Sequence, residues 1–206
     1  MAKSEFSGEP QALWLTEDGT EDRRMRLLEK FWFRDPGGKE WEANKDDEVD
    51  GASIPRALWT LVGSPYTGDY RRASIVHDRA CVNAGNSVAK RRAPDRMFYH
   101  ACRTGGCSIW QATLLYIGVR IGAVLPNVDA WQGAAATSPA GPRIRRIEAE
   151  DRLERDFQNI ADRVLAGGEV DDPHELEKRM NAALFLVAGL KVPANAKRGL
   201  RRRKGA

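Results

Sequence analysis

The hydrophobic rhythm of the chain changes near Asp50. Between Leu13 and about Val49 the large apolar side chains come in short groups, "ALWL" and "RMRLLEKFWFRD", broken by "DPGG" at Asp35–Gly38, a strong turn signal. "KEWEANKDDEV" then alternates weakly, as an exposed returning strand does. This half predicts a β-meander or a pair of hairpins. From Asp50 the spacing turns helical. Ser53 and Pro55 suit the N-cap and an early position of a short helix, with Ala57, Leu58, Leu61 and Val62 on its apolar face. A second helix is predicted from about Asp69 to Ala84, with Gly85-Asn86 as its stop and Ser87 able to cap the next element. A third is predicted from near Pro94 to Arg103. A fourth, "SIWQATLLYIGVRIGAVL", is apolar on most sides and so is the most buried element.

Beyond it "PNVDAWQGAAATSPAGP" has the composition of a linker. Ile147, Leu153, Phe157, Ile160 and Val164 then recur at helical spacing. "GGEVDDPHELEKRM" supplies a Gly stop, an Asp172 N-cap and Pro173 at the first helical position. Leu176, Met180, Ala183, Leu184, Val187 and Leu190 continue the stripe. An αα-hairpin of this kind has one stripe to bury, on the main domain or on another copy of the chain. The expected class is α+β, mainly helical. It comprises N-terminal β-hairpins or a meander, a helical core with an antiparallel His/Asp helix pair, and a C-terminal αα-hairpin. The expected division is a flexible N-terminus at 1–12, a core domain at 13–125, a linker at 126–143, the hairpin at 144–190 and a disordered basic tail at 191–206.

The hydrophobic content, 42% of 206 residues, suffices for a core. The net charge of +4 points to nucleic acid only until it is localised. Seven basic residues and no acidic one lie between Lys191 and the end, so the remainder is mildly acidic at −3. That tail can meet nucleic acid or an acidic membrane by charge attraction, or serve solubility alone. No apolar run approaches ~18 residues, so no transmembrane segment is expected, and "MAKSEFSGEP" has no apolar signal core. The expected location is the host cytoplasm at synthesis; incorporation into a phage particle would leave no mark in the sequence. Cys81, Cys102 and Cys107 are odd in number and lack paired CxxC spacing, so they read as free, buried thiols.

The chemistry-bearing residues gather in the middle: Asp50, Ser53, His77, Asp78, Asp95, Tyr99 and His100. On a helix His77 shares its face with Ala73, Ser74, Ala80 and Cys81, a small and apolar set, so the imidazole points inward. Asp78 is turned away by about 100°. The adjacent pair is therefore placed to reach two corners of one pocket rather than to bond to itself. A carboxylate orienting His77 must come from elsewhere, and Asp95 is the nearest candidate. Arg71, Arg72, Arg91 and Arg96 form a basic rim able to meet a negatively charged substrate, or to make surface salt bridges. The same His/Asp cluster also reads as a buried network that only fixes helix packing.

"DGASIPRALW", "GSPYTGDYRRASIVHD" and "APDRMFYHA", in this order, resemble the DUF1353 family of uncharacterised bacterial and phage proteins, over roughly Leu13 to Val124. The resemblance implies a phage or prophage association and no chemistry. "VHDRAC" and "PDRMFYHAC" are in addition similar to the catalytic helix pair of secreted-type phospholipase A2. That similarity implies His77 as a general base activating water and Asp95 as the group orienting its other nitrogen. It implies Asp78 as a Ca²⁺ ligand, assisted by Asp50. The chain departs from that superfamily in lacking a glycine-rich calcium loop and in carrying Pro94 at a disulfide position. Three functions are expected on these grounds. One is a hydrolase acting on an ester or phosphate-bearing substrate, with Ser53 as an alternative nucleophile. Another is a non-enzymatic virion or assembly protein, its contacts to a second copy or a phage protein made through 144–190. The third is a delivered toxin or lysis factor.

Overall fold

Phe31 and Phe33 are buried while Trp32 and Arg34 are partly exposed, and this alternation builds the first of two small sheets. The computed structural model of the chain describes residues 3–15, 24–51, 54–55, 58–63, 68–85, 87–124 and 142–188. Strand β4 (Phe31–Arg34) pairs antiparallel with β5 (Glu40–Ala43) and, on its other edge, with β1 (Glu5–Phe6). Asp35 closes the β4–β5 turn: its Oδ1 accepts the N–H groups of Gly37 and Lys39 at 2.9 and 3.0 Å, and its Oδ2 accepts from Trp41 Nε1 at 2.9 Å. The second sheet has the order β2 (Ala12–Trp14), β3 (Met25–Leu27) and β6 (Glu48–Val49), all antiparallel neighbours.

Two sequence-based expectations change here. The N-terminal segment expected to be flexible contains β1, because Phe6 stacks on Phe31 and packs on Phe33 (centroids 5.8 and 4.9 Å apart) while Glu5 pairs with Arg34 at 2.7 Å. Of the expected meander or pair of hairpins, the single meander is ruled out, since β3 pairs with β2 and β6 rather than with β4 and the strands divide between two sheets.

The helices are α1 (Trp59–Val62), α2 (Arg71–Ala84), α3 (Val88–Gly105), α4 (Ile109–Val124), α5 (Pro142–Leu165) and α6 (Pro173–Ala188), with a 3-10 turn at Gly68–Tyr70 before α2. The α+β, mainly helical class is thus what the chain adopts. Helix α3 begins at Val88, six residues before the expected start. The Ser87 side chain accepts the Lys90 N–H at 3.3 Å, which caps the helix, and Pro94 lies in its interior. The "VAKRRA" segment, expected as loop, is helix. Gly63 shows why the turn before α2 needs a glycine. It has φ +95, and a Cβ there would lie 2.1 Å from the Tyr70 hydroxyl oxygen.

Helix α2 packs on α3 and on β4 and β5, and α3 packs on α4. Helices α5 and α6 pack on each other, α5 also on α4 and α6 on α3. Leu153, Phe157, Ile160, Val164, Leu176, Met180, Ala183 and Leu184 are buried, so this stripe is absorbed within the chain. No described helix is long and apolar enough to cross a membrane. The expected linker up to Gly141, and the tail from Lys191, lie outside the described residues, as does the side chain of Ile147.

Candidate functional site

Three helices each contribute one polar side chain to the same buried point. His77 comes from the middle of α2, Asp95 from α3 one residue past Pro94, and Arg120 from α4, where it interrupts an otherwise apolar run. His77 Nε2 lies 2.8 Å from Asp95 Oδ1, and Arg120 Nη1 donates to Asp95 Oδ2 at 2.7 Å. All three residues are 0% exposed. The His77 ring rests against Phe98 with centroids 4.7 Å apart. Cys81, one turn along α2, places Sγ 3.4 Å from His77 Nε2 and 3.7 Å from Nδ1.

Asp78 leaves in the other direction. Its Oδ2 accepts the backbone N–H of Asp50 at 2.9 Å, just after β6. Asp78 and Asp50 line a cavity of about 220 Å³ together with Arg24, Glu48, Val49 and Val82. His77 is therefore brought to Asp95 and Asp78 to Asp50, while the two adjacent side chains serve different places. The arginine rim is not assembled into one surface. Arg71 and Arg72 pair with Glu9 at 3.2 Å, with Arg72 also over the Phe6 ring. Arg96 pairs with Glu177, and Arg91 is buried with Nε and Nη2 lacking a partner among the described residues. The rim divides because α2 turns Arg71 and Arg72 toward the N-terminal segment while α3 turns Arg96 toward α6. Ser53 lies outside the described residues. The other two histidines, His100 and His174, border a cleft of about 710 Å³ between the β4–β5 turn and the start of α6.

Asp95 was the expected first-turn residue of α3; it is instead mid-helix and buried, because the helix begins after Ser87. Arg120 is not among the residues singled out from the sequence, and Cys81 enters there only as a small buried neighbour on the His77 face. Cys81 carried a signal, its i+4 spacing from His77. Arg120 carried another, a lone cation inside "TLLYIGVRIGAV".

The charges explain one another. Burial alone would lower the His77 pKa, but Cys81 and the hydrogen bond to Asp95 more than reverse this and push it up to about 9. For Asp95, burial opposes ionisation, yet the His77 hydrogen bond and the Arg120 cation hold it below the ordinary carboxylate value. Burial raises Asp78 to about 6. A raised histidine pKa means that folding favours the imidazolium. Its stabilising contribution is complete below the ordinary value of 6.5 and is lost as pH rises through about 9. Urea unfolding with EDTA present, between these two values, should show a loss on the order of 2–3 kcal/mol in the wild-type chain. A His77→Gln chain should show a distinctly smaller loss over the same range. Equal slopes for the two chains would refute the charge assignment.

The comparisons with known proteins reach the same segment. Residues 25–119 match the model of DUF1353, described as a protein of unknown function. Two uncharacterized proteins of Sinorhizobium fredii are similar to the chain. The protein y4jT is 38% identical over 97 residues, 46% of this chain and 27% of that protein; y4iH is 36% identical over 99 residues, 48% of this chain and 40% of that protein. The matched region thus spans less than half the length of either relative. No solved structure matches the chain, and the likeness to secreted-type phospholipase A2 gains no support. His77, Asp78, Cys81 and Asp95 all fall inside the family match, whereas Arg120 lies one residue beyond it and the α5–α6 region is outside. Residues 25–119, just under half of the chain, are similar to DUF1353 and carry every residue of this site but Arg120.

Proposed function

We propose that the chain acts by binding rather than by catalysis at His77: an interaction protein, in the phage or prophage setting that the family resemblance implies. In this reading His77, Asp95 and Arg120 pin three helices together. The observation that carries it is their complete burial. A general base must reach its proton directly or through one water. The His77 ring instead meets a carboxylate, a thiol and Phe98. The contact surface is assigned to 144–190, where Phe185 and Leu186 near the end of α6 remain 50% and 64% exposed after the stripe of α5 and α6 is buried. The basic tail from Lys191 adds a charge-driven contact to nucleic acid or an acidic membrane. Light scattering of the full chain should give a defined oligomer that Phe185→Ser with Leu186→Ser weakens and EDTA leaves unchanged. A chain that stays monomeric, or one that hydrolyses an ester in a His77-dependent way, sinks this reading.

A second reading, a hydrolase on an ester or phosphate-bearing substrate, draws its support from Asp78 and Asp50. These two carboxylates face a cavity, whereas His77 does not. In that reading they hold Ca²⁺, which polarises the substrate. It requires a melting temperature that rises with Ca²⁺ in the wild-type chain and not in Asp78→Asn.

A further inference from the structure

We propose that His77 Nε2, Cys81 Sγ and Asp95 Oδ1 form a buried zinc-binding site that clamps α2 to α3. This site is separate from the Asp50–Asp78 cavity and does not depend on the interaction reading.

The three ligand atoms converge. They all lie within 4.8 Å of one another, the one such group of three among the described residues. The carboxylate meets Nε2 at 2.8 Å, while the thiol lies beside the ring, 3.4 Å from Nε2 and 3.7 Å from Nδ1, and has to turn about its Cα–Cβ bond to reach an ion on the Nε2 side. A thiol–imidazole–carboxylate relay for nucleophilic catalysis uses opposite nitrogens of the ring. Zinc bonds of about 2.0–2.3 Å to N, O and S in a tetrahedral arrangement put ligand atoms about 3.4–3.6 Å apart. The His77–Cys81 distance already has this value. The His77–Asp95 distance needs to open by roughly half an ångström once the shared proton leaves.

The donor set selects the metal. One thiolate, one imidazole and one carboxylate suit zinc; calcium needs six to eight oxygens, which this cluster does not offer. The second shell is in place as well. Arg120 Nη1 holds Asp95 Oδ2 at 2.7 Å, which leaves Oδ1 directed at His77. Zinc binding needs a neutral imidazole and a thiolate, so uptake of the ion releases protons and weakens as pH falls. Three protein ligands leave a fourth position for water or another donor. Access runs past Cys81, which is 8% exposed while His77 and Asp95 are at 0%.

The test uses the full chain purified without chelator. Elemental analysis should find one zinc per chain, and removing it with EDTA should lower the melting temperature. Zinc should restore the melting temperature and calcium should not. Cobalt(II) added to the zinc-free chain should produce a thiolate-to-metal charge-transfer band, lost in Cys81→Ser and kept in Cys102→Ser. Should Cys81→Ser fail to fold, the wild-type chain decides the matter: zinc should protect one thiol from alkylation, and peptide mapping should identify it as Cys81. The absence of zinc and of any zinc-dependent shift overturns the site, as does a shift with no protection of Cys81.

Discussion

Replacing Asp95 with alanine is expected to destabilise the chain by about 3–5 kcal/mol, as breaking a buried ion pair by removing one partner does. Asp95 is 0% exposed and both of its oxygens are used, one facing His77 and one accepting from Arg120. Without the carboxylate, Arg120 becomes a charge in the middle of α4 with no counter-ion, already holding Nε and Nη2 that find no partner among the described residues. It cannot move into water without unwinding a helix whose neighbouring side chains, Tyr116, Ile117, Val119 and Ile121, are themselves buried. The pairing with Arg120→Met makes the test sharp. Arg120→Met alone should be milder, since Asp95 keeps His77. The double variant should lose less than the sum of the two singles, because the methionine removes the charge that Asp95→Ala strands. Denaturant unfolding of the four chains measures this coupling. Asp95→Ala within about 1 kcal/mol of wild type would mean that the network does not hold the helices.

Glu177→Ala is expected to have a comparable effect, again about 3–5 kcal/mol, and to act on a different part of the molecule. Glu177, on α6, is 7% exposed. It accepts from Arg92 Nη1 at 2.6 Å and from Arg96 Nη1. Both arginines belong to α3, so this one carboxylate pairs with two cations where α6 meets α3. Asp171 provides the control. It bonds Tyr99 and Arg103 at the start of the same contact, but its side chain is 46% exposed, and an exposed pair contributes about 0–1 kcal/mol. Glu177→Ala should therefore speed proteolytic cleavage within residues 166–172, while Asp171→Asn should leave the rate nearly unchanged. Similar rates for the two variants would place the strength of the contact in its apolar stripe alone.

Several features of the site are legible from residue spacing alone. Helical geometry turns Asp78 about 100° from His77, which argues against a mutual pair and toward two destinations. The destinations are Asp95 for His77 and Asp50 for Asp78. Ser87 is readable as a cap, and the Gly85 stop of α2 is where its spacing places it. Pro94 misleads, because proline is common at the first position of a helix and its interior use depends on packing. The two-residue strand β1 has no periodicity of its own to read. It exists because Phe6 completes a surface made by Phe31 and Phe33, about 25 residues away.

What the sequence determined by itself was local: the switch from period two to helical spacing, the caps and stops, the inward face carrying His77 and Cys81, and the stripes of α5 and α6. These depend on residues within a few positions of each other, where backbone geometry alone sets which side chains share a face. The tertiary structure decided which faces meet. It brought Arg120 onto Asp95 across 25 positions, set Glu177 between Arg92 and Arg96 across more than 80, and divided the strands into two sheets. It also decided that His77 is enclosed rather than open to solvent. Burial of a polar group depends on what every packed element contributes at one point. No window of sequence contains that sum, and here it encloses His77 among Asp95, Cys81 and Phe98.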